Sequence, residues 1–430
     1  MNCGRFVQRA TTLSRSFASK QQQTLRATNT KLNTSSSQLN IKVASVSSIK
    51  CNNMPKFTPI NINISTPNLL NSSNNNSLLV VAKRNILSNP LGLLEIAVSA
   101  SSVKQFGGVE QLIIGQIAKP VPKKNELLVR VKAFAINRAD ILQRLGKYPP
   151  PAGESEILGL EMSGVVESVD SEHSGKFKVG DKVYALVGGG AYGQFCTVDA
   201  SNALHVPDHL NFEKAAAIPE AWLTAYQAMY LVGNYKRGNT VMVHAAASGV
   251  GTALIQLAKE AGAPIIIGTA GSDEKTKIIK ELGCTNTINY KNTPSFATEV
   301  ESITSKRGVD NVFDYVGANY WNDNMKSLAL DGTMVIQGTL SGPVVKENAI
   351  IGTILQKRLT IRGSTLRSRS TEYKADLIDR FDQHCTNLFA NGTLKPIIDR
   401  VFNVDEIQEA HKFMEGNHNI GKIVVRGFDD

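Results

Sequence analysis

Acidic residues are missing from the first 94 positions; the first in the chain is Glu95. The same stretch holds eleven Lys and Arg, so the net charge of +10 resides in this leader. The rest of the chain carries 36 basic against 37 acidic residues and is close to neutral. A neutral body lacks the concentrated basic patch of a nucleic-acid binder. Cysteine is scarce: Cys3, Cys51, Cys196, Cys284 and Cys385 form no CxxC pair. That argues against a disulfide framework and against a structural zinc site. No run approaches the roughly 18–20 apolar residues of a membrane span. Aromatics are only 6% of the chain, but 42% hydrophobic residues suffice for real cores, and the length leads one to expect more than one domain.

What the leader does contain is Arg5, Arg9 and Arg15 in a Ser/Thr-rich segment, with Phe6, Leu13 and Phe17 to form an apolar side. A cationic amphipathic helix of this kind suits a mitochondrial transit peptide, and "RSFAS" at Arg15–Ser19 resembles a matrix-peptidase cleavage site. The expected localisation is the mitochondrial matrix. From Thr24 to about Asn89 the chain is rich in Asn and Ser. It offers too little apolar area to offset ordering entropy, and disorder is expected there.

From about Leu93 short runs such as "EIAVSA", "LLVRVKAFAIN", "EMSGVVESV", "GDKVYALV" and "GGAYGQFCTV" follow one another, broken by glycine. They predict a β lobe. Then "FEKAAAIPEAWLTAYQAMYLV" is helical in composition, with Pro219 at a kink or restart. Six strands alternate with helices after it: "TVMVHA", "PIIIGT", "NTINY", "VDNVFDYVG", "TMVIQGT" and "LTIRGS". Such alternation predicts a doubly wound parallel sheet. The tail, "TEYKADLIDRFDQHCTNLFANG" and then "IGKIVVRG", is too short for its own core and is expected to pack back on the first lobe. The expected division is leader 1–92, β lobe 93–216, Rossmann domain 217–362 and return segment 363–430.

"TVMVHA" runs into Ala245–Gly251 and then "TALIQLAKEAG", a strand, a tight turn and a helix, as a dinucleotide site requires. Aligned on its last glycine, GxGxxG falls on Ala246 to Gly251, with Ala246 and Ser248 in place of two glycines. Gly251 is expected where helix and strand pack closely. Gly249 is expected to give a pyrophosphate access to the helix N-terminus, with Ser248 adding a hydroxyl. NAD-selective folds place an acid about 20 residues later, on the ribose 2′-OH. Here the second strand ends in Gly268–Ser272, and the first acids are Asp273 and Glu274. Ser272 and Lys275, with Tyr290 after the third strand, suit a 2′-phosphate and therefore NADPH.

The blocks "NRADILQRLGKYPPPAG", "ILGLEMSG", "AAAIPEAWLTAYQ", "HAAASGVGTALIQ", "LRSR" and "EIQEAHKFMEGNHNIGKIV" resemble a known family: the zinc-free medium-chain dehydrogenases/reductases of the quinone oxidoreductase, or zeta-crystallin-like, group. They span about Leu93 to Arg426. The resemblance implies a GroES-like β lobe, a six-stranded Rossmann domain, a cleft between them, and a homodimer. It implies hydride transfer from NADPH to a quinone or another small electrophile without a metal. The zinc relatives' Cys position reads Asn137, and their His position reads Leu160 before Glu161. Neither an amide nor an isobutyl group replaces a thiolate or imidazole. Carried over residue by residue, Tyr148 matches the family's active-site tyrosine and Ser248 its serine in the cofactor turn, while Asn137 and Asp140 line the cleft. For Asp140 a helix-start or ion-pair role is equally open. Cofactor contacts are implied for Ser248, Gly249, Val250, Gly251, Ser272, Lys275, Tyr290, Gly338, Leu366, Arg367 and Asn419. Two other readings stay open: a mitochondrial NADPH-dependent enoyl-thioester reductase, and a non-catalytic NADPH-binding protein.

Overall fold

The computed structural model describes residues 97–170, 175–345 and 351–428. The transit-peptide and low-complexity readings fall on residues outside these.

In the first lobe, β1 (Ala97–Val103) and β2 (Leu112–Ala118) form an antiparallel pair. The main sheet is built from β3 (Glu126–Ile136), β4 (Glu161–Val169), β5 (Lys182–Leu186), β6 (Phe195–Asp199) and β7 (Ala203–His205). Helix α1 (Arg138–Arg144) follows β3 directly. The long β3 is the hub, pairing antiparallel with β4 and β6. Its residues Leu127, Val129, Val131 and Phe134 are fully enclosed.

Pro219 resolves as a restart. Helix α2 (Phe212–Ala216) ends before it, and α3 (Pro219–Tyr226) begins on it at N1, where its missing N–H costs nothing. The chain then widens into a π-turn over Gln227–Val232, a distortion that sequence composition does not show.

The second lobe comprises β8 (Val241–Val243), α4 (Gly249–Glu260), β9 (Ile266–Ala270), α5 (Asp273–Leu282), β10 (Asn286–Asn289), α6 (Phe296–Ile303), β11 (Val309–Asp314), α7 (Trp321–Ser327), β12 (Leu328–Ile336), α8 (Ile351–Lys357) and β13 (Thr360–Gly363). The six strands pair in the order β10-β9-β8-β11-β12-β13, all parallel. That is the doubly wound order in which the topology reverses beside the first strand, here β8. Val241, Met242 and Val243 are closed to solvent, as expected for a strand covered on both faces. The fold class expected from the sequence, a GroES-like lobe with a six-stranded Rossmann sheet, is the one the chain adopts.

The tail does not go to the first lobe alone. Helix α9 (Thr371–Ala390) buries Leu377, Ile378, Phe381 and Phe389 among residues of both lobes, including Tyr184, Leu204, Trp222 and Leu254. Beyond it come β14 (Ile398–Phe402), α10 (Ile407–Glu415) and β15 (Lys422–Arg426). Strand β15 inserts between β14 and β3, antiparallel to β3. Its entry carries the tail past the start of α4, where Gly421 and Ser248 form an isolated parallel bridge.

Candidate active site

The turn between β8 and α4 has the local geometry of a dinucleotide site. Ala245 adopts a left-handed φ of 45°, a conformation unusual for a residue with a Cβ. Ser248 caps α4, its Oγ accepting from the Gly251 amide at 3.1 Å. A Cβ on Gly251 would sit 2.6 Å from the carbonyl oxygens of both Ala245 and Ala246. Only glycine lets the helix lie this close to the strand. Gly249 serves differently from the sequence-based expectation: its Cβ direction is filled by the aliphatic stem of Lys422. Its lack of a side chain seats the tail, and the helix N-terminus it shares with Ser248 and Val250 stays part-exposed.

At the end of β9, Ser272 caps α5 by accepting from the Lys275 amide at 3.3 Å. Asp273 is drawn off to Asn289, whose Nδ2 donates to it at 2.7 Å. Lys275 Nζ reaches across to the carbonyl of Asn417, at 2.6 Å. Partial burial lowers its pKa, with Asp399 opposing and Lys291 adding to the fall. A Cβ on Gly271 would meet the Tyr290 hydroxyl at 2.5 Å and Lys291 Cε at 3.5 Å. Gly271, Tyr290 and Lys291 therefore meet at one place, and Lys275 is near enough for the Lys291 charge to act on it. Lys291 was not foreseen from the sequence; it follows Tyr290 directly.

A buried polar cluster lies where α1, β4, α3 and β15 converge. Glu161 is closed to solvent and forms an ion pair with Lys422 (Nζ to Oε1, 2.6 Å). Lys422 Nζ also donates to the Ile136 carbonyl (2.9 Å) and to Asn137 Oδ1 (2.7 Å). Asn137 Nδ2 donates to Glu161 Oε1 at 2.8 Å. The other carboxylate oxygen of Glu161 accepts from the Glu220 amide at 2.9 Å. Both ends of the Asn137 amide are thus committed, and the residue is a brace.

Asp140 is not a cleft-facing group. It is fully buried, one oxygen accepting from the Asn137 amide (2.8 Å) and the other from the Gly159 amide (3.1 Å). The helix-start role is the one it fills. Burial pushes its carboxyl up to about 6 against those bonds.

Tyr148 is part-buried, and the Arg367 guanidinium stands 5.5 Å from its ring centroid. Arg367 Nε donates to the Gly188 carbonyl at 2.8 Å, while its two terminal nitrogens are buried without a partner. Leu366 differs from the expectation for it: its side chain is in the apolar core. Asn419 Nδ2 donates to the Gly421 carbonyl at 2.8 Å and so shapes the tail turn beside Ser248. Gly338 lies past the end of β12, where a Cβ would meet the Tyr315 carbonyl at 2.9 Å. Tyr148, Asn137 and Arg367 thus gather at one end of the site, while Ser272, Lys275 and Tyr290 mark the other. Ser248 and the tail stand at the α4 turn.

A family model described as a zinc-binding dehydrogenase matches residues 249–383, and one described as an alcohol dehydrogenase GroES-like domain matches residues 123–208. A quinone oxidoreductase of Pseudomonas aeruginosa is 33% identical over 326 residues, covering 74% of this chain and 97% of the relative. The chain belongs to the medium-chain dehydrogenase/reductase family. A synaptic vesicle membrane protein VAT-1 homolog of Danio rerio is 31% identical over 335 residues, covering 74% of this chain and 68% of the relative. Among solved structures, a mycobacterial protein complexed with NADPH superposes with a TM-score of 0.69 at 29% identity, covering 76% of this chain and 99% of the other.

Within this family the chain is an oxidoreductase with a domain for a nicotinamide cofactor. The residues present fit that group. Helix α4 opens on the part-exposed Gly249 and Val250, Gly271 leaves room beside Tyr290 and Lys291, and Arg367 has donors to spare. At the family's metal-ligand positions the side chains do something else. Leu160 is packed with 1% exposure, and Asn137 is held by Glu161 and Lys422. Among the described residues no group of three His, Cys, Asp or Glu is arranged to hold a metal.

Sequence reasoning missed Glu220, Glu161 as a partner, and Lys422. The signal was there in part: Glu220 follows Pro219 at a helix start, and Lys422 lies in the quoted "IGKIV". Nothing in one sequence says that they meet.

Proposed function

We propose that this protein is an NADPH-dependent quinone oxidoreductase, transferring hydride to a quinone or similar small electrophile without a metal. The observation that carries the reading is Tyr290 and Lys291 packed on Gly271 with Lys275 close by, and no acid between the end of β9 and Asp273, which is held by Asn289. Two ammonium groups favour a 2′-phosphate over a ribose hydroxyl. The blocks around Tyr148 and "PEAWLTAYQ" resemble those of the tumour-suppressor-inducible quinone oxidoreductase.

The bound cofactor supplies the hydride. The chain supplies the rest. Amides at the start of α4 and the Ser248 cap orient the diphosphate. Ser272, Lys275, Lys291 and Tyr290 hold the phosphate end. Pro149, Pro150 and Pro151 stiffen the loop bearing Tyr148, so its phenol is presented at low entropic cost. That phenol and the Arg367 guanidinium stabilise charge developing on the substrate oxygen. A quinone carbonyl accepts hydride without Lewis-acid help, which matches an Asn137 and Leu160 that offer none.

The test is NADPH and NADH oxidation by the purified protein against a panel of quinones and enoyl thioesters. Turnover with quinones, faster with NADPH, is expected. Turnover with enoyl thioesters alone would replace the reading, and none with any acceptor would leave a cofactor-binding protein. On the same reading the protein is a homodimer of the mitochondrial matrix. Light scattering and a fluorescent reporter fused to residues 1–30 test those two points, and a monomer or a cytosolic signal overturns them.

A further inference from the structure

Among the buried carboxylates described, only Glu220 has an oxygen without a partner: its Oε2 is enclosed and unbonded. The residue as a whole is only part-buried. It stands at the second position of α3, and the next residue, Ala221, lies against the cofactor turn, with its Cβ 3.7 Å from the Cβ direction of Gly249. Its own amide is spent on Glu161. The charges facing it come from every side: Glu161 on β4, Lys422 on β15, Asp140 on α1, Arg367 from the segment leading into α9, Lys374 in the first turn of α9, and Tyr148 on the proline loop.

Count the inner charges. Asp140, Glu161 and Glu220 would bring three negative groups, and Lys422, Arg367 and Lys374 three positive ones. Lys422 is taken by Glu161, and the free nitrogens of Arg367 have no carboxylate on them. None of these cations is bonded to the Glu220 Oε2, and a buried carboxyl left in that way takes up a proton.

We propose that the Glu220 carboxyl carries the proton that completes reduction and hands it to the oxygen of the substrate held beside Tyr148. The proposal rests on the quinone reading above. A hydride with its two electrons arrives from the reduced nicotinamide; one quinone becomes a hydroquinone monoanion. The Glu220 O–H bond then breaks, its proton joins the anionic oxygen, and hydroquinone leaves. Glu220, now a carboxylate beside Glu161, regains a proton from water before the next turnover. Burial, with the Glu161 charge second, pushes its pKa up to about 8, so the acid form predominates at neutral pH.

Two measurements test this in the full-length protein. The first needs no cofactor and no acceptor: infrared difference spectra of the apoprotein between neutral and alkaline pH. A protonated-carboxyl band that disappears as pH rises through about 8, and is absent from Glu220→Gln, is expected. The second is the pH profile with whichever acceptor the wild type reduces. Wild-type kcat should fall as pH rises through about 8. A general acid contributes about 10²–10⁴-fold, and an easily reduced quinone puts Glu220→Gln at the low end, with a flat profile and unchanged NADPH affinity. Glu220→Asp should restore the alkaline limb. Glu220→Gln that keeps the wild-type rate and profile, or that keeps the infrared band, overturns the proposal. A wild type inactive toward quinones but with the band intact overturns the quinone reading and leaves the proton on Glu220.

Discussion

At the scale of single residues the site separates into groups that brace and groups left with something to offer. Tyr148 belongs to the second kind, being part-buried with Arg367 against its ring. Tyr148→Phe removes only the hydroxyl. The expected result is a kcat about 10-fold lower with NADPH affinity unchanged, the pattern of a group acting in the transition state. Steady-state kinetics with a direct binding titration check it; unchanged kcat with every acceptor would leave Tyr148 a packing residue. On the proposed function, Lys275 reads the other end of the cofactor. A charge-assisted bond contributes about 1.5–3 kcal/mol. Lys275→Ala should therefore weaken NADPH binding roughly 10–100-fold at about 1.4 kcal/mol per decade, and barely change NADH. Equal losses for both would show that the lysine only ties α5 to the Asn417 carbonyl. Both residues could be singled out from the sequence alone, Tyr148 inside a contiguous block and Lys275 by its distance from the second strand. Glu161, Glu220 and Lys422 could not, because their meaning is mutual. Glu220 and Glu161 are 59 positions apart, and Lys422 lies 285 beyond Asn137. No local pattern encodes which of three distant acids will share one cation.

Elements were more legible than sites. Alternating apolar strands and amphipathic helices mark the Rossmann domain, because a parallel strand covered on both faces must be apolar throughout. Short or irregular elements escaped. Strand β7 spans three residues, β14 reads "IDRVF" with two exposed charged side chains, and the π-turn at Gln227–Val232 keeps a helical composition. A tight element-level constraint is Gly251, which holds α4 against the end of β8. Gly251→Ala would drive a Cβ into two backbone carbonyls, neither of which is a flexible side-chain end. Overpacking of this kind costs about 1–3 kcal/mol. Thermal unfolding of the apoprotein should show a lower midpoint, and NADPH binding should weaken as α4 shifts. A variant as stable as the wild type would mean that the helix can slide without cost.

For the whole molecule, the buried acids make stability depend on pH in a definite sense. Unfolded carboxyls titrate near pH 4 and unfolded histidines near 6.5. In the folded chain burial raises Asp140 to about 6 and Glu220 to about 8, and it lowers His244, and His411 to about 3. Below about pH 6.5 the acids and the histidines act in opposite directions. Between about 6.5 and 8 only Glu220 among them still binds a proton that the unfolded chain does not. Stability then falls as pH rises, since the native state holds the extra proton. The melting temperature should decline across that window in the wild type and stay flat in Glu220→Gln. A wild type with no such decline would mean that Glu220 ionises like a surface acid.

The late return of the chain has a consequence for how the molecule is made. Strand β15 fills the gap between β14 and β3, and its Lys422 grips the Ile136 carbonyl 286 positions earlier. As translation proceeds, β3 is finished early, while the edge it offers to β15 waits for nearly the whole chain to leave the ribosome. Contacts at such sequence separation form slowly, because loop closure must precede any gain from them. Until then the last part of β3, Ala133–Ile136, has one side unpaired, the state in which nascent chains associate wrongly. The nascent enzyme is thus most in need of a chaperone between completion of the Rossmann sheet and arrival of its last strand.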